Sequence, residues 1–304
     1  MIVEIPNTTV SKVAKKLQEL RDSGGVVALG RVLTLIIETD AEHSEAAISA
    51  ANAASRLHPS RIIVLNRNQK TKDSKLDAQI RVGGDAGASE VVVLNANGMA
   101  ASNPESLVTG LLLPDAPVVA WWPASCDSNP AGTEIGQIAS RRITDAAAQS
   151  DPHEFLAQLA KHYAPGDGDM AWTRITLWRA QLAALFDQHL ERKVKSITVI
   201  GSTDSPSADL LGLWLEQRLG IKASFEREME SLPVHGVAGV KIEFDSGELE
   251  IIRDGQVAQI KQVGAPDSSV LLPQRSDQDC LIEDMRFLGE DSVYGSVLQG
   301  VLSR

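Results

Sequence analysis

The sequence predicts an α/β protein of two domains. Residues 1–165 read as a mostly parallel or mixed sheet with flanking helices. Residues 166–304 read as a second α/β (α+β) domain with an antiparallel meander and closing helices. Three observations predict this. RVLTLIIET (31–39) and RIIVLNR (61–67) are apolar on both faces and enclose an alanine-rich helical segment, the order of a crossover unit in a parallel sheet. YAPGDGD (163–169) gathers Pro and Gly as a boundary does. Beyond residue 220 the apolar period becomes two, with SG and DG dipeptides between the runs, as in a meander.

The first element is predicted to be a helix. Thr8 or Thr9 caps it, Val10, Val13, Ala14, Leu17 and Leu20 share one face, and Gly24–Gly25 stops it. Asp40 is the expected cap of the alanine-rich helix that runs to about Leu57. LDAQIRV (76–82) and SEVVVLNA (89–96) are two further strands joined by GGDAGA. Asn103 caps a helix with Pro104 in its first turn. DAPVVAWWPA (115–124) supplies a short strand, TEIGQIAS a helix, RRITDA (141–146) a short strand or loop, and DPHEFLAQLAKHY a helix capped by Asp151. In the second half, Trp172, Ile175, Trp178, Leu182 and Leu185 form one helical stripe. SITVIG (196–201) is a buried strand, SADLLGLWLEQRLG (207–220) a helix, and KASFERE opens the meander. Two helices close the chain, from Asp277 to about Leu288 and from Asp291 to about Leu302.

Composition narrows the function classes. The 304 residues carry a net charge of −11, which opposes binding to a phosphate backbone, so no nucleic-acid partner is expected. No apolar run approaches transmembrane length and no secretory leader is legible, so a cytoplasmic protein without a membrane partner is expected. Cys126 and Cys280 lack a CxxC context and read as thiols rather than a bridge. The six histidines are scattered without HxH or HExxH spacing, so no metal is expected.

Two segments offer an anion site. Gly83, Gly84 and Gly87 let a backbone approach a phosphate, but a β-rich run follows where a phosphate cradle needs a helix start. Ser202–Ser207 lies between a strand and a helix, yet no Lys or Arg falls in the loop to pair an anion, which favours Ser205 or Ser207 as an N-cap. Either would suit a sugar-phosphate or nucleotide-binding enzyme or sensor. No GxSxG elbow, Cys–His pattern or dinucleotide fingerprint is present, so no catalytic residue and no cofactor is assigned.

The tryptophans and nearby arginines remain. Successive strand residues face opposite sides, so Trp121 and Trp122 cannot enter the same core layer. Arg141–Arg142 lead into ITDA, and Arg174 and Arg179 flank the Trp172/Trp178 stripe. Trp and Arg are enriched at interface hot spots, and they equally form cores with Arg–carboxylate pairs.

DAQIRVGGDAGASEVVVL, LLLPDAPVVAWWP, RRITDA and GDGDMAWTRITLWRAQL, in this order, closely resemble the actinobacterial OpcA family, the glucose-6-phosphate dehydrogenase assembly proteins. The likeness continues through DSPSADLLGLWL to VYGSVLQG. It implies a non-catalytic partner that binds glucose-6-phosphate dehydrogenase as a hetero-oligomer, supports its assembly and raises its activity. It thereby serves the oxidative pentose phosphate pathway and NADPH supply. The motif positions carried over as docking candidates are Trp121, Trp122, Arg141, Arg142, Asp145, Trp172, Arg174, Trp178 and Arg179. Cyanobacterial relatives are tied to thioredoxin-dependent control, from which two separated cysteines depart.

Overall fold

The computed structural model describes residues 1–23, 32–82, 90–189, 191–227 and 236–303. The elements run β1 (Ile2–Ile5), α1 (Val10–Ser23), β2 (Leu33–Thr39), α2 (Ser44–Ala54), β3 (Ser60–Asn68), β4 (Lys75–Arg81), β5 (Glu90–Asn97), α3 (Pro104–Val108), β6 (Val118–Trp121), α4 (Glu134–Ile138), β7 (Arg141–Thr144) and α5 (Pro152–His162). They continue as β8 (Asp167–Asp169), α6 (Met170–Arg174), α7 (Thr176–Phe186), β9 (Val194–Gly201), α8 (Pro206–Leu219), β10 (Ala223–Arg227), β11 (Val237–Phe244), β12 (Gly247–Asp254), β13 (Val257–Gln262), β14 (Ser268–Leu271), α9 (Asp277–Arg286) and α10 (Ser292–Gln299). Two compact units result. One comprises Met1–Asp145, Ala164–Gly168 and Asp277–Glu290; the other comprises Ala146–Tyr163, Asp169–Ser276 and Asp291–Arg304.

The first unit is built on an eight-stranded mixed sheet in the order β1-β4-β5-β3-β2-β6-β7-β8. Strands β5, β3, β2, β6 and β7 are mutually parallel. Their order is that of the doubly wound dinucleotide-binding fold, reversing direction between β2 and β6. The unbroken apolar runs follow from this position: Leu35, Ile36 and Ile37 on β2 and Ile62, Ile63 and Val64 on β3 are fully buried on both faces. Val13 and Leu17 of α1, one helical turn apart, pack into the core cluster with Ile36 and Ile63. In α2, Ala47, Ile48, Ala51 and Ala54 are buried, and α9 packs on this helix.

The second unit contains a six-stranded, mostly antiparallel sheet, β10-β9-β11-β12-β13-β14. Strands β11 to β14 form the predicted meander, with inward residues Val240, Ile242, Leu249, Ile251, Ala258 and Ile260 on alternating positions. Gly220, in the left-handed region at φ 70°, ends α8, a conformation that only glycine adopts without a Cβ penalty.

Four local expectations are corrected. The first element is the strand β1, antiparallel to β4, and not a helix; four alternating residues are too few to read as a strand. Strand β10 pairs parallel with β9 through the α8 crossover and is not part of the antiparallel meander. The helix over 170–187 is broken at Ile175, where Arg275 Nη1 donates to the carbonyl of Thr173 at 2.7 Å, an acceptor that an unbroken helix would offer to Leu177. Asp40 is not the cap of α2, because a turn intervenes: its carboxylate accepts from the backbone N–H of Glu42 and of His43, each at 2.9 Å. Caps at Asn103 and Asp151 stand where the sequence places them, and Asp169 caps α6. The Gly24–Gly25 stop and the Gly83–Gly87 loop lie outside the described residues.

Candidate functional site

In the first unit, the carboxyl ends of β2, β3 and β6 border a crevice of about 460 Å³ at the point where strand order reverses, the usual ligand position in open α/β sheets. Trp122, which directly follows β6, forms part of its wall and donates Nε1–H to Glu38 at 2.9 Å. The second oxygen of Glu38 receives the Arg67 guanidinium. Asp127 and Glu134 also border the crevice, so carboxylates predominate there. At the end of β2, where a dinucleotide fold turns backbone N–H groups toward a pyrophosphate, Asp40 fills the N–H groups of Glu42 and His43 with its own carboxylate. Desolvation opposes ionisation of Asp40, but the hydrogen bonds and charge of His43 together outweigh it and lower the pKa, which keeps that turn anionic.

The two tryptophans divide as the pleat requires. Trp122 joins the core cluster with Val118 and Ala120, while Trp121 faces the other way. Both rings are buried, at 1% exposure for Trp121 and 4% for Trp122.

Arg141 and Arg142 on β7 are buried and paired. Arg141 Nη2 reaches Asp284 of α9 at 2.5 Å. Arg142 sends Nε to Asp167, Nη1 to the carbonyls of Ala139 (2.9 Å) and Gly136 (3.3 Å), and Nη2 to that of Pro165. The guanidinium thus serves the last carbonyls around α4, where a cation is favoured. The GDGD motif explains itself here. Gly166 sits at φ 93°, where a Cβ would lie 2.5 Å from the Ser140 carbonyl oxygen and 3.0 Å from Arg142 Nη2, and a Cβ on Gly168 would lie 2.4 Å from Arg141 Nη2. Asp145, next to this cluster in sequence, is 6% exposed.

In the second unit, Trp172 is buried and donates Nε1–H to Asp291 at 2.8 Å, with the Arg179 guanidinium 3.6 Å from its ring centroid. Trp178 is likewise buried, with Arg253 5.8 Å from its ring. Among the nine docking candidates, Arg174 and Arg179 keep partial exposure.

Ser205 caps α8, accepting from Ala208 N at 3.1 Å. The preceding loop holds no cation of its own, but the fold delivers two from elsewhere. Arg227 of β10 reaches Asp209 and the carbonyl of Ser202, and His153 of α5 reaches Asp209 at 2.6 Å and the carbonyl of Thr203 at 3.0 Å. Both imidazole nitrogens face acceptors, so this geometry uses the protonated ring. The hydrogen bond to Asp209 raises the His153 pKa, outweighing desolvation and the repulsion of Arg227. A raised value means that the clasp contributes fully below about pH 6.5 and is lost as pH climbs through the folded-state pKa. Thermal melts from about pH 5.5 to about pH 9 should therefore show a wild-type advantage over His153→Gln that shrinks with rising pH. A difference independent of pH refutes the assignment.

Neither cysteine is bridged in the structure; Cys280 is buried and Cys126 partly so. Among the described residues no helix is long and apolar enough to cross a membrane.

Among curated proteins, none matches the chain. Of solved structures, UDP-N-acetylglucosamine 3-dehydrogenase GnnA from Acidithiobacillus ferrooxidans aligns at 8% identity and a TM-score of 0.43, covering 89% of this chain and 96% of its own. The super-repressor mutant of Gal80p from Saccharomyces cerevisiae aligns at 10% and 0.44, covering 83% and 82%. Likeness this slight says nothing of chemistry. Two family descriptions match in tandem. Residues 51–161 match the N-terminal domain of the glucose-6-phosphate dehydrogenase subunit family, and residues 165–298 match the C-terminal domain of the same family. With both domains present in order across most of its length, the chain belongs to the OpcA family of glucose-6-phosphate dehydrogenase subunits.

Proposed function

We propose that the chain is a non-catalytic assembly factor and allosteric activator that binds glucose-6-phosphate dehydrogenase in the cytoplasm as part of a hetero-oligomer. The observation that carries the non-catalytic reading is the turn after β2. Its amides, which would hold a cofactor pyrophosphate, are filled by Asp40, and carboxylates border the crevice beyond. A dinucleotide would meet repulsion there in place of a cradle.

Activation requires only that the chain bind the active conformation of the enzyme more tightly than the inactive one; a tenfold preference corresponds to about 1.4 kcal/mol. Arg174 and Arg179, at the junction of α6 with α7 and within α7, are the docking candidates with surface to offer. The other candidates are buried: Trp172 and Trp178 in the second unit, with the Trp172 ring against Arg179, and Trp121, Trp122, Arg141, Arg142 and Asp145 in the first unit. Titrating the chain into purified dehydrogenase is expected to raise turnover or substrate affinity. Arg174→Ala is expected to weaken that effect about tenfold or more while the circular dichroism spectrum stays unchanged. A folded Arg174→Ala variant that activates like wild type removes this residue from the interface.

A further inference from the structure

The crevice at the carboxyl ends of β2, β3 and β6 is hostile to a dinucleotide, and the same lining selects another ligand. Its volume of about 460 Å³ lies within the roughly 300–1,000 Å³ of sites that enclose small organic molecules. It also stands where the strand order reverses, the position at which open α/β sheets hold their ligands. Size and place thus mark a ligand site before charge is considered.

Charge then narrows the ligand. Glu38, Asp40, Asp127 and Glu134 line the crevice against one guanidinium, Arg67, which is already paired with Glu38. Asp127 and Glu134 receive backbone N–H groups, from Asn129 at 2.7 Å and from Glu105 at 3.5 Å, and among the described residues neither forms an ion pair. A cleft lined by one sign of charge focuses its field, so this one draws cations. Among the described residues no three acids converge closely enough to hold a metal ion. The carboxylates are spread around the wall instead, which suits a cation whose charge is spread along a chain. The wall also carries Trp122 and Ile135, apolar surface against which methylene groups pack.

We propose that this crevice binds a linear aliphatic polyamine, with its ammonium groups on separate carboxylates and its methylene groups against Trp122 and Ile135. An ammonium offers donors and no acceptor, which matches a wall of carboxylate oxygens. A single ammonium leaves most of these acids unanswered, and a divalent ion finds no cage of oxygens. Trp122 reports occupancy, because its indole N–H donates to Glu38 and feels any charge that reaches that carboxylate. Sequence spacing carries no sign of the site, since its acids come from the end of β2, the segment after β6 and the start of α4.

The site does not depend on the dehydrogenase partnership, so its test uses the full chain alone. Spermidine and putrescine are titrated at constant ionic strength, with magnesium and methylammonium as controls. Calorimetry and the indole N–H resonance of Trp122, assigned through Trp122→Phe, follow the binding. Spermidine is expected to bind saturably and shift that resonance, putrescine to bind more weakly, and both controls to leave the resonance in place. Asp127→Asn/Glu134→Gln changes two exposed acids and should weaken spermidine binding about tenfold. Glu248→Gln/Asp254→Asn, the same change of charge at exposed acids of the second unit, should leave it unaltered. Magnesium binding as strong as that of spermidine, or an equal loss in both double variants, marks general attraction to an acidic chain and overturns the proposal. So does undiminished spermidine affinity in Asp127→Asn/Glu134→Gln.

Discussion

Arg142→Ala is expected to destabilise the protein by about 3–5 kcal/mol, the cost of leaving a buried charge without its partner. Arg142 is 7% exposed and serves the Asp167 carboxylate together with the carbonyls of Gly136, Ala139 and Pro165. Truncation leaves all of them in a site that water does not reach freely, with Asp167 itself 5% exposed. Arg142→Lys should keep most of the loss, because an ammonium cannot match a planar fork directed at four groups. Urea denaturation measures both. A loss below about 1 kcal/mol for Arg142→Ala means that the guanidinium does not hold these groups together.

Trp121→Ala should cost a similar amount, about 3–5 kcal/mol, through the cavity left by a ring that is 1% exposed. Its neighbour separates packing from hydrogen bonding. Trp122→Phe keeps an aromatic ring but removes the N–H that Glu38 accepts, so the expected loss is about 1.5–3 kcal/mol. If Trp121→Ala proves nearly neutral while activation of the dehydrogenase disappears, the ring acts at an interface and the core assignment fails.

Much of the fold was legible because burial on both faces leaves an unmistakable pattern. LTLIIET and RIIVLN read as central parallel strands, and the alternating residues of β11 to β13 read as a meander. What period two cannot tell is the neighbour a strand chooses. ASFER alternates like the meander, yet the α8 crossover delivers it parallel to β9. The helix break at Ile175 was invisible for a related reason, since Arg275, whose guanidinium takes the Thr173 carbonyl there, lies far along the chain.

The site was less legible than the fold. An RR dipeptide ordinarily signals a solvated surface, and the acids that bury this one, Asp167 and Asp284, lie 25 and 143 positions away. The division of Trp121 from Trp122 followed from the pleat alone, whereas the burial of both did not.

The central question is whether this chain works by binding an enzyme rather than by its own chemistry. The direct measurement mixes the purified chain with glucose-6-phosphate dehydrogenase at near-physiological salt, follows their joint elution, and assays the collected complex. One co-eluting species is expected, with turnover or substrate affinity above that of the enzyme alone. Separate elution with unchanged kinetics contradicts it.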